Sequence, residues 1–136
     1  MTYQFQRVDY FYVTVQDEAG SAYQLLSALE QSGVNLLAFT AVPTGPLRAQ
    51  LTVFPEDAGQ LQAMAPTAGL ELDGPYSALL VQGDDELGAL ARVHEKLFDA
   101  GVNVYASTGL AGDRGRYAYV IYVRSEDIDQ AVSALE

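Results

Sequence analysis

Residues 17–35 read DEAGSAYQLLSALEQSGVN, and residues 84–103 read DDELGALARVHEKLFDAGVN. Each stretch is an acidic turn, a glycine, one helix's worth of residues, then Gly-Val-Asn. One fixed offset aligns Val13 with Val81, Asp17 with Asp85, Glu18 with Glu86 and Gly20 with Gly88. It holds through Leu25 and Val93, Leu29 and Leu97, Gly33-Val34-Asn35 and Gly101-Val102-Asn103, as far as Arg48 and Arg116. The second copy is then longer by two residues, so that Glu56-Asp57 aligns with Glu126-Asp127. A register kept for so long marks an internal duplication, which decides the fold before any local pattern does.

Outward from the repeat, each copy reads strand, helix, strand, strand, helix. Phe11, Val13 and Val15 alternate with Tyr10, Tyr12 and Thr14, the period of a strand whose faces meet different surroundings. Leu79 and Val81 repeat the inward set. Ala22, Leu25, Leu26 and Leu29 recur at helical spacing, as do Leu90, Val93, His94 and Leu97. Asp17 and Asp85 are the expected helix N-caps. Gly33 and Gly101 fit the left-handed residue that ends a helix, with Val34 and Val102 as the apolar contact beyond. Second strands are expected at about 34–41 and 102–108, and third strands at about 48–54 and 116–123, joined by turns at 42–46 and 109–115. The 109–115 segment, rich in glycine, reads as a hairpin loop or a lid. Ser125 opens a last helix, and 70–72 (LEL) would be a fourth strand in the first copy only.

The expected fold class is therefore α+β: two ferredoxin-like βαββαβ repeats, with antiparallel sheets and helices on one face, the second repeat lacking its last strand. Repeat 1 spans 9–73 with an N-terminal extension at 1–8, and repeat 2 spans 77–136. The missing strand leaves a sheet edge that needs a cover. Residues 2–8 or a second subunit would supply it.

The 136 residues are 49% hydrophobic and carry a net charge of −11. Seven basic residues, unclustered, make no footprint for nucleic acid, whose binding rests on Lys and Arg displacing counterions. Anionic membranes are disfavoured for the same reason, and no apolar run is long enough for a span. The N-terminus lacks a secretory layout, so a cytoplasmic protein is expected. With no cysteine and a single histidine, thiol chemistry, paired-histidine metal sites and any catalytic pair of nucleophile and base are missing. No P-loop or dinucleotide fingerprint is present, and no metal or cofactor is expected. His94 reads as a histidine at the core edge. Tyr10, Tyr12 and Tyr122 should point away from the helix-covered face and could build a subunit contact.

A strand, Asp-x-x-Gly, an apolar-striped helix and Gly-Val-Asn running into a second strand resembles the ACT domain, here as a tandem pair covering about 9–73 and 77–136. The resemblance implies a non-enzymatic, ligand-sensing regulatory protein, a homodimer binding an amino acid or related small metabolite at an interface between modules. Its pocket positions carry over to Asp17, Glu18, Gly20 and Asn35, and to Asp85, Glu86, Gly88 and Asn103. Independently of the family, open amides at a helix N-terminus attract a carboxylate, and an Asp, Glu or Asn side chain accepts from an ammonium. The same acidic residues repel a ligand carboxylate. Two other readings stay open: a scaffold or interaction protein of the same fold with no small-molecule ligand, and a small enzyme using His94 as base.

Overall fold

The computed structural model describes residues 3–136. It contains β1 (Tyr3–Gln16), α1 (Ser21–Gln31), β2 (Leu36–Gly45), β3 (Arg48–Pro55), α2 (Ala58–Ala68), β4 (Asp73–Asp84), α3 (Ala89–Asp99), β5 (Val104–Ala111), β6 (Arg116–Val123) and α4 (Ile128–Leu135). Chain contacts divide it into a first unit, Asp9–Tyr76, and a second, which joins Ser77–Glu136 to the N-terminal segment ending at Val8. Among the described residues no helix is long and apolar enough to cross a membrane.

In the first unit the strands are ordered β2-β3-β1. The antiparallel register sets Phe11 opposite Val53 and Val13 opposite Leu51, so the inward set of β1 shares a face with that of β3. Leu25 and Leu29 of α1 and Leu61 of α2 close over this face. Leu26 of the expected stripe lies on its exposed flank. The opposite face is not left open. Tyr10 is only 2% exposed, with its ring 5.2 Å from Phe54, 5.4 Å from Tyr12 and 5.6 Å from Tyr76. Tyr122 is likewise buried, so neither is available for the subunit contact expected of them. Aromatic rings pack around Tyr10, and the Tyr122 ring lies 6.3 Å from that of Tyr105.

The expected strand at 70–72 is displaced: Leu70–Leu72 is irregular, and the strand beside β1 begins at Asp73. Gly74 makes this possible, because a Cβ there would lie 2.9 Å from the Tyr10 carbonyl. The turns at 42–46 and 109–115 are shorter than expected. β2 continues to Gly45 through pairs such as Val42 with Gln50, and β5 continues to Ala111, which faces Tyr117. Pro43 is tolerated because β2 is an edge strand, where a missing amide costs no ladder bond.

In the second unit the order is β4-β6-β5, with Leu79 opposite Ile121 and Val81 opposite Tyr119. Val93 and Leu97 of α3 and Ile128, Ala131 and Leu135 of α4 complete the core. Residues 3–8, which the sequence attaches to the first repeat, pack here. Tyr3 and Phe5 lie against this core. The Tyr3 hydroxyl donates to the Leu135 carbonyl at 2.6 Å and accepts from Lys96 Nζ at 2.8 Å. Arg7 donates to Ser77 at 3.3 Å and pairs with Asp129 at 3.2 Å. β1 is the hydrogen-bonded neighbour of β4, so within this unit the segment lies on the side of β4 away from β6. Thr2, included in the expected cover, lies outside the described residues.

Both helix ends behave as duplicated parts. Gly33 and Gly101 each have φ of 74°. Val34 donates to Leu29 and Val102 to Leu97, both at 2.9 Å, and both valines are buried. Gln60 donates to the Gly33 carbonyl at 3.1 Å and Gln130 donates to the Ala100 carbonyl, tying the second helix of each unit to the end of the first.

Candidate functional site

The site is built around the turn between the first strand and first helix of each unit. In the second unit the Asp85 amide donates to the Gly115 carbonyl at 2.7 Å, fastening the turn to the β5–β6 hairpin. In the first, the Asp17 amide does the same to Leu47 at 2.8 Å. The helices then start from Gly88 and Gly20, whose φ values of 81° and 91° are left-handed. This corrects the expectation that Asp17 and Asp85 cap the helices, since neither helix has a side-chain cap. A glycine that reverses the chain brings a backbone carbonyl to the first amide instead: Glu86 accepts from Ala89 at 3.0 Å, and Glu18 from Ser21 at 3.3 Å. The aspartates are left free of any capping duty.

Over the second turn opens a cleft of about 710 Å³, within the usual size range of small-ligand sites. Asp85–Ala91 form one side, Gly109–Ala111 of β5 another, and Tyr117 and Ala118 of β6 a third. Gly109 keeps that wall thin, because a Cβ there would sit 3.1 Å from the Tyr119 ring and 3.4 Å from Leu90. The Ala89 amide bonds to Glu86 and the Arg92 amide to Gly88. The two amides between them, of Leu90 and Ala91, have no acceptor within their own helix.

Arg92 is the residue that sequence reasoning missed. Its guanidinium folds back to donate to the Glu86 carboxylate at 2.9 Å and to the Leu87 carbonyl at 3.3 Å. It offsets one of the two acidic charges beside the cleft, easing the repulsion those residues would exert on a ligand carboxylate. The first copy has Gln24 at this position, so the repeat itself concealed the arginine.

Tyr117 was read only as a strand aromatic. It is 6% exposed, and its hydroxyl, shut off from solvent, has no hydrogen-bond partner among the described residues. Burial pushes its phenol above the ordinary value, and the Tyr3 hydroxyl adds to the shift.

Within each unit the turn residues and the asparagine lie apart. Asp85, Glu86 and Gly88 line the cleft. Asn103 is exposed beyond the far end of α3, a helix of 11 residues and so about 16 Å long. Asp17, Glu18 and Gly20 form the equivalent turn of the first unit. Asn35 donates to the Glu56 carboxylate at 2.6 Å and lines a separate groove with Leu26, Glu30 and Gly33. His94 is half-buried at the core edge, its Nε2 2.6 Å from the Tyr119 hydroxyl, which also donates to Ser107 at 2.9 Å. Leu26, Leu51 and Phe39 stand at the same three positions of the first copy.

No family model matches the chain, and no curated protein does. Solved structures do. A protein from Bacteroides thetaiotaomicron superposes with a TM-score of 0.82 at 15% identity, over 96% of this chain and 88% of that one. The ligand-free regulatory subunit of aspartate kinase from Thermus thermophilus gives 0.66 at 17% identity, over 98% and 93%. The allosteric aspartate kinase of Clostridium acetobutylicum gives 0.55 at 17% identity, over 96% of this chain and 33% of that one. The chain thus has the ACT-type fold of aspartate kinase regulatory subunits, and the resemblance carried by the repeated Asp-x-x-Gly helices holds at the level of fold.

Proposed function

We propose that this is a non-enzymatic, ligand-sensing regulatory protein that binds an amino acid or related small metabolite in the cleft above Gly88. The observation that carries this reading is the cleft itself, where two first-turn amides without helical acceptors lie beside the acidic turn. A zwitterion satisfies both poles. Its carboxylate takes the Leu90 and Ala91 amides at the positive end of the helix dipole, and its ammonium takes the Asp85 carboxylate. Asp17, Glu18 and Gly20 offer the same backbone in the first unit, with Asn35 and Asn103 available to a ligand only from a neighbouring module. The fold shared with an aspartate kinase regulatory subunit supports a regulatory role over a catalytic one.

The rim of the cleft favours completion by a second copy of the chain. Leu87 is 99% and Leu110 72% exposed, an apolar border that a homodimer would cover. Binding then signals by favouring one assembly state, which requires the ligand to have a higher affinity for that state.

A thermal-shift screen of the twenty amino acids tests the proposal, because a ligand that binds only the folded protein raises Tm. At least one amino acid should raise it, and Gly88→Val should abolish the shift. A flat response across the screen, with sedimentation unchanged by every compound, would leave the fold as an interaction scaffold.

A further inference from the structure

We propose that the second unit's cleft selects amino acids with aliphatic side chains, its affinity rising with each methylene that enters it. The inference rests on the amino-acid reading above and adds the chemical class of the ligand and the unit that recognises it.

Beyond the turn, the cleft is lined on its open side by Leu90, Ala91, Leu110, Ala111 and Ala118. The first four are exposed and Ala118 is half-buried, so an incoming ligand meets them directly. The Leu90 side chain reaches toward β5, since its Cδ1 lies 3.4 Å from where a Cβ at Gly109 would stand. Ala89 and Tyr117 line the cleft from the core side. Ala89 is apolar, and Tyr117 brings the ligand no polar atom, because its hydroxyl is shut off from solvent. Once the turn holds the carboxylate and the ammonium, the side chains left to receive the ligand's own side chain are all apolar. Each methylene that leaves water there is favourable. A hydroxyl loses its water without gaining a side-chain partner, and a second charge loses more. Glu86 is already paired with Arg92 at 2.9 Å, and the ammonium takes Asp85, so a charged side chain finds no counter-charge. The first copy has Tyr23 where the second has Ala91, and Gln50 where it has Ala118. The fully aliphatic lining therefore belongs to one unit only.

Calorimetric titration of the full chain with glycine, alanine, α-aminobutyrate and norvaline, and with valine against threonine, tests this. Affinity should rise about fourfold per methylene along the series, the increment for removing one from water. Valine should bind about tenfold or more tightly than its isostere threonine. Leu90→Ala, which installs the first copy's Ala22, should flatten the rise while leaving the circular dichroism spectrum intact. Ala118→Gln, which installs the first copy's Gln50, should narrow the gap between valine and threonine, and it decides the matter if Leu90→Ala does not fold. Level affinities along the series, or threonine matching valine, overturn the inference while sparing the amino-acid reading. So does a preference that neither variant reduces. If no amino acid binds, both fall.

Discussion

Gly20 and Gly88 stand at the same left-handed position of two turns, yet their surroundings differ. A Cβ at Gly20 meets nothing within 4 Å, whereas one at Gly88 comes within 3.4 Å of Arg92 Nη1. Gly20→Ala thus isolates backbone strain and should cost about 1 kcal/mol. Gly88→Ala should cost about the same, because 3.4 Å from the end of a flexible arginine is ordinary contact. Urea unfolding of the two variants checks both costs. The duplicated glycines were visible in the sequence, but their role was not, because an aspartate ahead of a helix resembles a cap wherever the true boundary is unknown. Tyr117 supplies a prediction of opposite sign. Removing an orphaned buried hydroxyl relieves a desolvation penalty, so Tyr117→Phe should stabilise the unliganded protein by about 1 kcal/mol. Because burial raises this phenol above its ordinary 10.0, the folded state holds the proton more tightly than the unfolded one. Its contribution is intact below pH 10 and declines as pH rises toward the folded value. The variant should lose stability less steeply than the parent above pH 10, as alkaline melting curves would show.

Among elements, helices and strands were legible wherever apolar spacing ran uninterrupted, because burial of one face dictates both period and partner. Turn lengths were not. Pro43, Gly45 and Gly109 look like loop residues, but edge strands accept them, and pairing with β3 and β6 carries the chain past them. The polar group His94, Tyr119 and Ser107 was equally hidden, since its three members come from α3, β6 and β5. A further duplicated feature appears only once the helices are placed. Gln60 and Gln130 reach the carbonyls that end α1 and α3, which no helical amide can satisfy. Each tie should contribute about 0.5–1 kcal/mol. Asp57, the side-chain cap of α2, accepts from the Gln60 amide at 3.2 Å, and Asp57→Ala should cost about 1 kcal/mol. Asp17→Ala and Asp85→Ala should cost little in the absence of ligand, because their side chains cap nothing. Denaturant midpoints for the three aspartate variants would separate the true cap from the two turn residues.

At the scale of the whole molecule, the second unit is assembled from segments far apart in the sequence. On the side of β4 away from β6 lies the segment Tyr3–Val8. Tyr3 and Phe5 extend that unit's core, and the Tyr3 hydroxyl fixes the final turn of α4 through Leu135. Deleting residues 1–8 should therefore damage the distant half of the sequence more than the adjacent one. Losing two half-buried aromatic side chains removes roughly 2–3 kcal/mol of apolar burial, and the uncovered β4 edge becomes a template for intermolecular pairing. Hydrogen exchange reads the two units separately. Amides of β4, α3 and α4 should lose protection by about thirtyfold or more, the equivalent of 2 kcal/mol, while β2 and β3 hold theirs. The truncated chain should also aggregate at concentrations the parent tolerates, and a synthetic 1–8 peptide should restore part of the protection. Equal protection in both chains would mean that the second unit stands without its borrowed strand, and that its open edge is harmless.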